Sequence, residues 1–152
     1  EESRAKLYGP VYDTSEYCKV YTDGSCFDNG SPSARARAGV YFGLGNPCNC
    51  SLRVSGSQTN NRGELLAILY ALSVVRPFKA VKIFTDSEYC IWSIVYWVVK
   101  NDQNGWKCAN GDLLRDIVSW IRYRSASVVF RHVPAHSGNM HNDAADALAK
   151  AG

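Results

Sequence analysis

The sequence predicts an α/β fold, a five-stranded mixed sheet of three antiparallel strands followed by parallel ones, with helices packed on it. Three observations lead there. Short apolar runs separated by turn-forming residues fill the stretch from Cys18 to Ser57. The hydrophobic period then switches from strand-like to helical after Arg62. Beyond that, two more short apolar runs alternate with helical segments, the pattern of strands laid parallel with helices covering them.

The first three strands are expected at Lys19 to Cys26, Ala38 to Leu44 and Cys50 to Ser55, separated by Asp28-Asn29-Gly30-Ser31-Pro32 and Gly45-Asn46-Pro47. Those separators supply positive-φ and fixed-φ positions, so the three runs read as an antiparallel meander. Leu65, Ile68, Leu69, Leu72 and Val75 recur at i, i+3, i+4 and i+7, placing one apolar stripe on a helix from about Arg62 to Arg76, which Pro77 stops. Val81 to Thr85 reads as a strand, with a second helical region starting near Ser87. A helix over Asp112 to Arg122 turns Leu113, Ile117, Trp120 and Ile121 inward. The last strand is expected at Ser127 to Val133, and the last helix at Asn142 to Ala151 with Asn142 as its N-cap. Residues 1–17, which contain Gly9-Pro10 and no clear periodicity, read as an irregular lead-in to a single domain over 18–152.

A chain of 152 residues is of the size that ordinarily forms one domain around one core. Its 46% hydrophobic and 20% charged content excludes a disordered or collagen-like segment. No run approaches the roughly 20 apolar residues of a membrane span, since Tyr89 to Val99 is interrupted by Ser93 and followed by Lys100. The six cysteines form no pair of C-x-x-C knuckles, so a structural zinc site is not expected and buried free thiols are favoured over disulfides. The start of the chain lacks a signal-peptide pattern; the compartment is left open, with an intracellular one favoured. The net charge of +3 is by itself a weak argument for a polyanionic partner. If four acids are withdrawn into a metal site, 17 basic residues face ten remaining acids, a field of +7 that suits phosphates.

Two strands carry nearly the same ending, Val20-Tyr21-Thr22-Asp23 and Ile83-Phe84-Thr85-Asp86. As parallel neighbours about 4.8 Å apart, they would set Asp23 beside Asp86. Glu64 borders the core-facing stripe of its helix, one residue before Leu65 and four before Ile68, a place acids normally avoid. Asp146 would lie one turn into the last helix, whose buried side is marked by Ala145, Leu148 and Ala149. Alone, each acid has an ordinary explanation as a turn-former or first-turn residue. Together they would repel one another prohibitively without cations. Carboxylates without thiolate or imidazole clusters call for a hard ion, Mg²⁺ first and Mn²⁺ next. Two such ions about 3.5–4 Å apart would support in-line phosphoryl displacement.

The ordered set Tyr21-Thr22-Asp23-Gly24-Ser25, Thr59-Asn60-Asn61-Arg62-Gly63-Glu64, Phe84-Thr85-Asp86-Ser87, Val133-Pro134-Ala135-His136-Ser137-Gly138 and Asn142-Asp143-Ala144-Ala145-Asp146 closely resembles type 1 ribonuclease H. The resemblance runs from about Lys19 to the C-terminus and makes 18–152 the catalytic domain of a ribonuclease H-like fold. It implies a two-metal endonuclease cutting the RNA strand of RNA–DNA hybrids to 5′-phosphate and 3′-hydroxyl ends. Asp23, Glu64, Asp86 and Asp146 would be its metal ligands, with Asp23 bridging both ions. Asp143 is a competing acid at a position where the family pattern expects no ligand. His136 would match the family's mobile histidine, which helps product leave or shuttles protons.

Hybrid recognition requires reading 2′-hydroxyls with groups that both donate and accept. Asn29, Asn60 and Asn61 are such groups and resemble the family's RNA-strand contacts. Tyr89 and Trp97 match aromatic positions along the DNA strand, and Thr59 and Asn110 match a DNA-phosphate pocket; Trp92 reads instead as helix core. Two departures stand out. Ser57 occupies a position where eukaryotic-type relatives often carry arginine, and the Tyr96 to Asp112 region holds only Lys100 and Lys107 where many relatives carry a basic handle. The partner implied is an RNA–DNA hybrid, with no membrane and a monomeric state expected; membership in a longer polyprotein or multidomain protein stays open. The alternatives are a hybrid-binding module, an integrase or double-stranded-RNA nuclease on this fold, and an interaction domain of a retroelement. The asparagines and the loop histidine favour the hybrid-specific enzyme.

Overall fold

The computed structural model describes residues 16–134 and 138–151. Five strands, β1 (Tyr17–Phe27), β2 (Arg35–Tyr41), β3 (Cys50–Arg53), β4 (Ala80–Thr85) and β5 (Val128–His132), form one sheet in the order β3-β2-β1-β4-β5. The meander β1-β2-β3 is antiparallel, whereas β4 joins β1 and β5 joins β4 in parallel. The mixed five-stranded sheet expected from the sequence is thus observed. Its boundaries shift by a few residues: β2 begins three residues early at Arg35, and Tyr17 belongs to β1 rather than to the lead-in.

Helix α1 (Asn60–Val74) lies across β1 and β2 on one face of the sheet. Its N-cap is Thr59, whose hydroxyl accepts from Arg62 N–H at 3.1 Å, so the helix starts two residues before Arg62. Leu65, Ile68 and Leu72 are wholly buried, as the spacing predicts, while Leu69 and Val75 pack at the margin of the core. Val20, Ala38, Val40, Val81 and Ile83 meet them from the sheet, and Ile94, Leu114 and Ile117 from beyond the helix. Each of these valines, leucines and isoleucines contributes about 1.5–3 kcal/mol when fully withdrawn from water.

The second helical region is broken into three. A short α2 (Glu88–Ile91), capped by the Ser87 hydroxyl, runs into a π-turn over Trp92–Tyr96 and then α3 (Val98–Gln103). The π-turn is closed by Trp97 N–H donating to Trp92 O at 2.8 Å, which puts Trp92 and Trp97 on one side. Trp92 is therefore not core: it is 45% exposed and its ring lies 4.4 Å from Tyr96 and 5.8 Å from Trp97. Helix α4 (Gly111–Tyr123) packs against α1. On the other sheet face, α5 (Met140–Lys150) covers β1, β2 and β3. Its N-cap is Asn139, which accepts from His141 and Asn142 N–H groups at 3.0 Å; Asn142, expected as the cap, is a buried residue of the first turn.

All six cysteines are free, but only Cys90 is buried, so the expectation of buried thiols holds for that one alone. Among the described residues no helix is long and apolar enough to cross a membrane. Residues 1–15 of the expected lead-in lie outside the described residues.

One buried cation ties the helical layer to the sheet. Arg124, 4% exposed, donates from Nη1 to Leu72 O and Val75 O and from Nη2 to Arg76 O and Lys79 O, at 2.5 to 3.1 Å. It thereby satisfies the carbonyls left over at the end of α1 and in the turn into β4. Arg124→Ala should strand four acceptors and lower stability by about 2–4 kcal/mol. Urea unfolding would read this as a lower midpoint at unchanged m, and a midpoint within experimental error of the wild type would refute the clamp.

Candidate active site

The parallel register Thr22↔Thr85 brings the two twin endings side by side, so Asp23 and Asp86 leave adjacent strands at the same level. Glu64 reaches them because α1 approaches β1 very closely. A side chain at Gly24 would overlap the backbone of Asn60, Gly63 and Glu64, and one at Gly63 would overlap Arg37 O. Glycine at both positions lets the first turn of α1 sit directly on the strand end. The result is one cluster in which carboxylate oxygens of Asp23, Glu64 and Asp86 all lie within 4.8 Å of one another.

Asp146 lines the same cavity of about 310 Å³, together with Asn60, Asn142, Asp143 and Lys150. It is not part of the compact trio. Its Oδ2 accepts from Lys150 Nζ at 2.9 Å, an i,i+4 pair on α5. Because the helix starts at Met140, Asp146 sits nearly two turns in, and not one turn as expected from an Asn142 cap. Asp143, in the first turn, lines the cavity as well, so position alone does not separate the two acids.

The electrostatics are those of charges held against their preference. Asp23 is 3% exposed and its pKa rises from an ordinary 3.8 to about 7, chiefly through burial, with the charge of Asp86 and the proximity of Asp146 adding and interaction with Glu64 and Gly24 N–H pulling partly back. Glu64, 7% exposed, is raised well above the ordinary glutamate value by burial first and by Asp23 next. Its Oε2 is buried without a hydrogen-bond partner, as is Oδ1 of Asn142. A buried carboxylate oxygen with no hydrogen-bond partner, beside two further carboxylates, has the chemistry to bind a divalent cation. The donor set, all oxygen, fits Mg²⁺ or Mn²⁺.

Other expected site residues distribute as follows. Asn60 lines the carboxylate cavity, Asn61 is its exposed neighbour on α1, and Asn29 lies in the exposed β1–β2 turn outside the cavity lining. Thr59 is the α1 cap, and through Arg62 it adjoins Asn110 and Tyr89. Arg62 Nη1 donates to Asn110 Oδ1 at 3.4 Å, and Asn110 Nδ2 donates to Tyr89 Oη at 3.1 Å. Asn110 holds a left-handed backbone, φ 59°, as it leads into α4. Trp97 stands apart from that network, 49% exposed beside Trp92. His136 lies outside the described residues.

Sequence reasoning missed three participants. Arg62 forks onto Asp112 at 2.9 and 2.6 Å and holds the Asp112 carboxyl down to about 2. Lys150 faces Asp146; its spacing of four on a helix was a readable signal. Asn142, within the N-D-A-A-D run, lines the cavity and is not the helix cap that its place in the sequence suggests.

Comparison with known proteins agrees with this geometry. A family model described as RNase H matches residues 15–152. Ribonuclease H1 of Homo sapiens is 38% identical over 143 residues, covering 90% of this chain and 50% of that protein. Ribonuclease H1 of Rattus norvegicus is 36% identical, covering 88% and 49%. The chain thus spans about half the length of these mammalian relatives. Ribonuclease H of Anaplasma marginale is 35% identical, covering 86% of both chains. A solved structure, that of LC9-RNase H1, described as a type 1 RNase H with the type 2 active-site motif, is similar at a TM-score of 0.64 and 25% identity over 90% of this chain and 72% of that one. With its sheet order, its clustered acids and a match over nearly its whole length, the chain belongs to the RNase H family.

Proposed function

We propose that this chain hydrolyses the RNA strand of RNA–DNA hybrids by a two-metal-ion mechanism, leaving 5′-phosphate and 3′-hydroxyl ends. The observation that carries the reading is the buried Asp23, Glu64 and Asp86 cluster with its unpartnered Glu64 oxygen. Asp23, Glu64 and Asp86 would hold the ions, with Asp146 completing the set from α5. Two Mg²⁺ ions, with Mn²⁺ able to substitute, would supply an activated water and charge stabilisation at the leaving oxygen.

The protein's own part is to position and to discriminate. Burial keeps Asp23 and Glu64 in a region of low dielectric, where their attraction for a cation is strong. Lys150 neutralises and orients Asp146 across one helical turn. Asn60 at the cavity, with Asn61 and Asn29 flanking it, would read 2′-hydroxyls of the RNA strand. Tyr89, Asn110 and Thr59, gathered by Arg62, would hold the DNA strand, with Trp97 stacking on its sugars. His136 would assist product release or proton transfer from its loop. The chain is proposed to act as a monomer, in isolation or as part of a longer protein.

The raised carboxyl pKa values carry a sign. A folded-state pKa of about 7 against an unfolded value near 3.8 means that the unfolded chain loses its proton first as pH rises. Metal-free protein should therefore lose stability on the order of a few kcal/mol between about pH 4 and pH 7. Thermal melts in EDTA should show a falling Tm across that window, and Mg²⁺ should restore more at the upper end than at the lower. A metal-free Tm that climbs through the window would exclude a repulsive buried cluster.

Activity is tested with a labelled RNA–DNA hybrid beside matched RNA–RNA and DNA–DNA duplexes. Only the hybrid should be cut, and EDTA should stop the reaction. Asp86→Asn should lose about a thousandfold in kcat, roughly 4 kcal/mol of transition-state stabilisation, while keeping hybrid affinity. Equal cutting of all three duplexes, or an active Asp86→Asn, would overturn the proposal.

A further inference from the structure

Beside the carboxylate cavity runs a groove of about 700 Å³ whose lining includes Arg35, Arg37, Arg53 and Lys150 and no carboxylate. The two are continuous: Ser25, Cys26 and Lys150 line both. Strand register explains the alignment. Asp23 pairs with Gly39, Ser25 with Arg37, and Phe27 with Arg35, while Arg37 pairs in turn with Arg53. Alternate residues of a strand share a face, so the Arg37–Arg53 row stands one pleat from Asp23, about 6.6–6.8 Å along the strand, and Arg35 one pleat further.

That row is costly as architecture. Like charges directly opposite each other on antiparallel strands destabilise the pair, and Arg37 faces Arg53 in this way. Among the described residues the ion pairs seen involve Arg62, Lys79, Arg115 and Lys150, and none involves these three arginines. The obvious structural duty, neutralising the carbonyl end of α5, is already met by hydroxyls. Ser25 Oγ donates to Ala149 O at 2.5 Å and Ser51 Oγ donates to Ala151 O at 3.4 Å. Ser51 also accepts from Arg37 Nε and Nη2 at 3.1 and 3.0 Å, which fixes the guanidinium while leaving further N–H donors over.

We propose that Arg35, Arg37 and Arg53 form a phosphate-binding groove that takes up the backbone of the cut RNA strand next to the scissile phosphate. This rests on the hybrid-cleavage reading, which puts the scissile phosphate in the adjoining carboxylate cavity. Guanidinium forks match phosphate oxygens, and a spacing of one pleat suits consecutive phosphates of one strand. The strand is the RNA because the groove opens from the cavity where cutting would occur, on the Ser25-Cys26 side. Here the grip that the short Tyr96 to Asp112 region does not offer comes from the sheet edge.

The test is Arg35→Gln/Arg53→Gln beside Arg35→Lys/Arg53→Lys, two residues whose side chains make no hydrogen bond among the described residues, in the full chain with Mg²⁺. The glutamine pair should raise KM for hybrid about tenfold and leave kcat within about twofold. The slope of log kcat/KM against log salt should become shallower by about 1 to 2. Its Tm should hold or rise, because a cross-strand repulsion has gone. The lysine pair should keep the salt slope. Uncharged linkages in the RNA strand beside the scissile phosphate should weaken wild type and leave the glutamine pair nearly unaffected. Unchanged KM and salt slope with cutting intact would overturn the groove and leave the cleavage reading standing. So would a fall in Tm as the only effect, or sensitivity to uncharged linkages in the DNA strand alone. Failure of wild type to cut hybrid would sink the cleavage reading, and the groove with it.

Discussion

The constraint on which this molecule turns is the approach of α1 to the end of β1. Without side chains at Gly24 and Gly63, the first turn of the helix rests on the strand, and Glu64 is delivered beside Asp23. Nothing else in the sheet would bring an acid from that helix so near. Two buried carboxylates in contact, with Asp86 within 4.8 Å, oppose folding through repulsion and desolvation. The fold must therefore hold the helix end by other means. Thr59 caps it, and Arg62, two residues before Glu64, is anchored by a forked pair to Asp112 and by a 2.7 Å bond to Ser55 O. At the other end of the same helix, Arg124 collects the free carbonyls. Helix α1 is thus clamped at both termini by buried arginines, and the strain of the acid cluster is borne between them.

What was legible in the sequence follows from where information is local. The stripe Leu65, Ile68, Leu72 encodes a buried helix face because period alone determines which side points inward. The repeated strand endings encode Asp23 beside Asp86, because parallel register transmits a local pattern across space. The acidic centre could be assembled from these two facts and Glu64's place at the border of the stripe. Asp146 was harder. Two asparagines, Asn139 and Asn142, can each cap the last helix, and the choice between them moves Asp146 by most of a turn. Asn139 wins because Asn142 is drawn inward, 2% exposed and at the cavity wall.

The less legible features depend on contacts between distant segments. Trp92 looks like core by composition, yet the π-turn rotates it outward with Tyr96 and Trp97, and no local rule announces an extra residue in a helical turn. Arg124 looks like a surface arginine at the end of a helix; its burial follows from the meeting of the α1 terminus with the turn into β4, 45 to 52 residues away. Arg37 and Arg53 are unremarkable in the sequence and become a like-charged pair only when β2 and β3 are set in register.

The two faces of charge on this sheet are linked through α5. Asp146 on that helix belongs to the acidic cavity, and Lys150, four residues on, lines both cavity and basic groove. Negative and positive regions therefore meet at one helical turn instead of lying on opposite sides of the molecule. A polyanion approaching such a boundary is drawn to the arginines and repelled by the carboxylates until cations fill the acidic side. Metal loading would then be the step that turns a repelling centre into an attracting one, aligning both regions along a single strand. On this view the modest overall charge of +3 conceals two opposed local fields, and a divalent ion in the acidic one would decide which of them a phosphate meets.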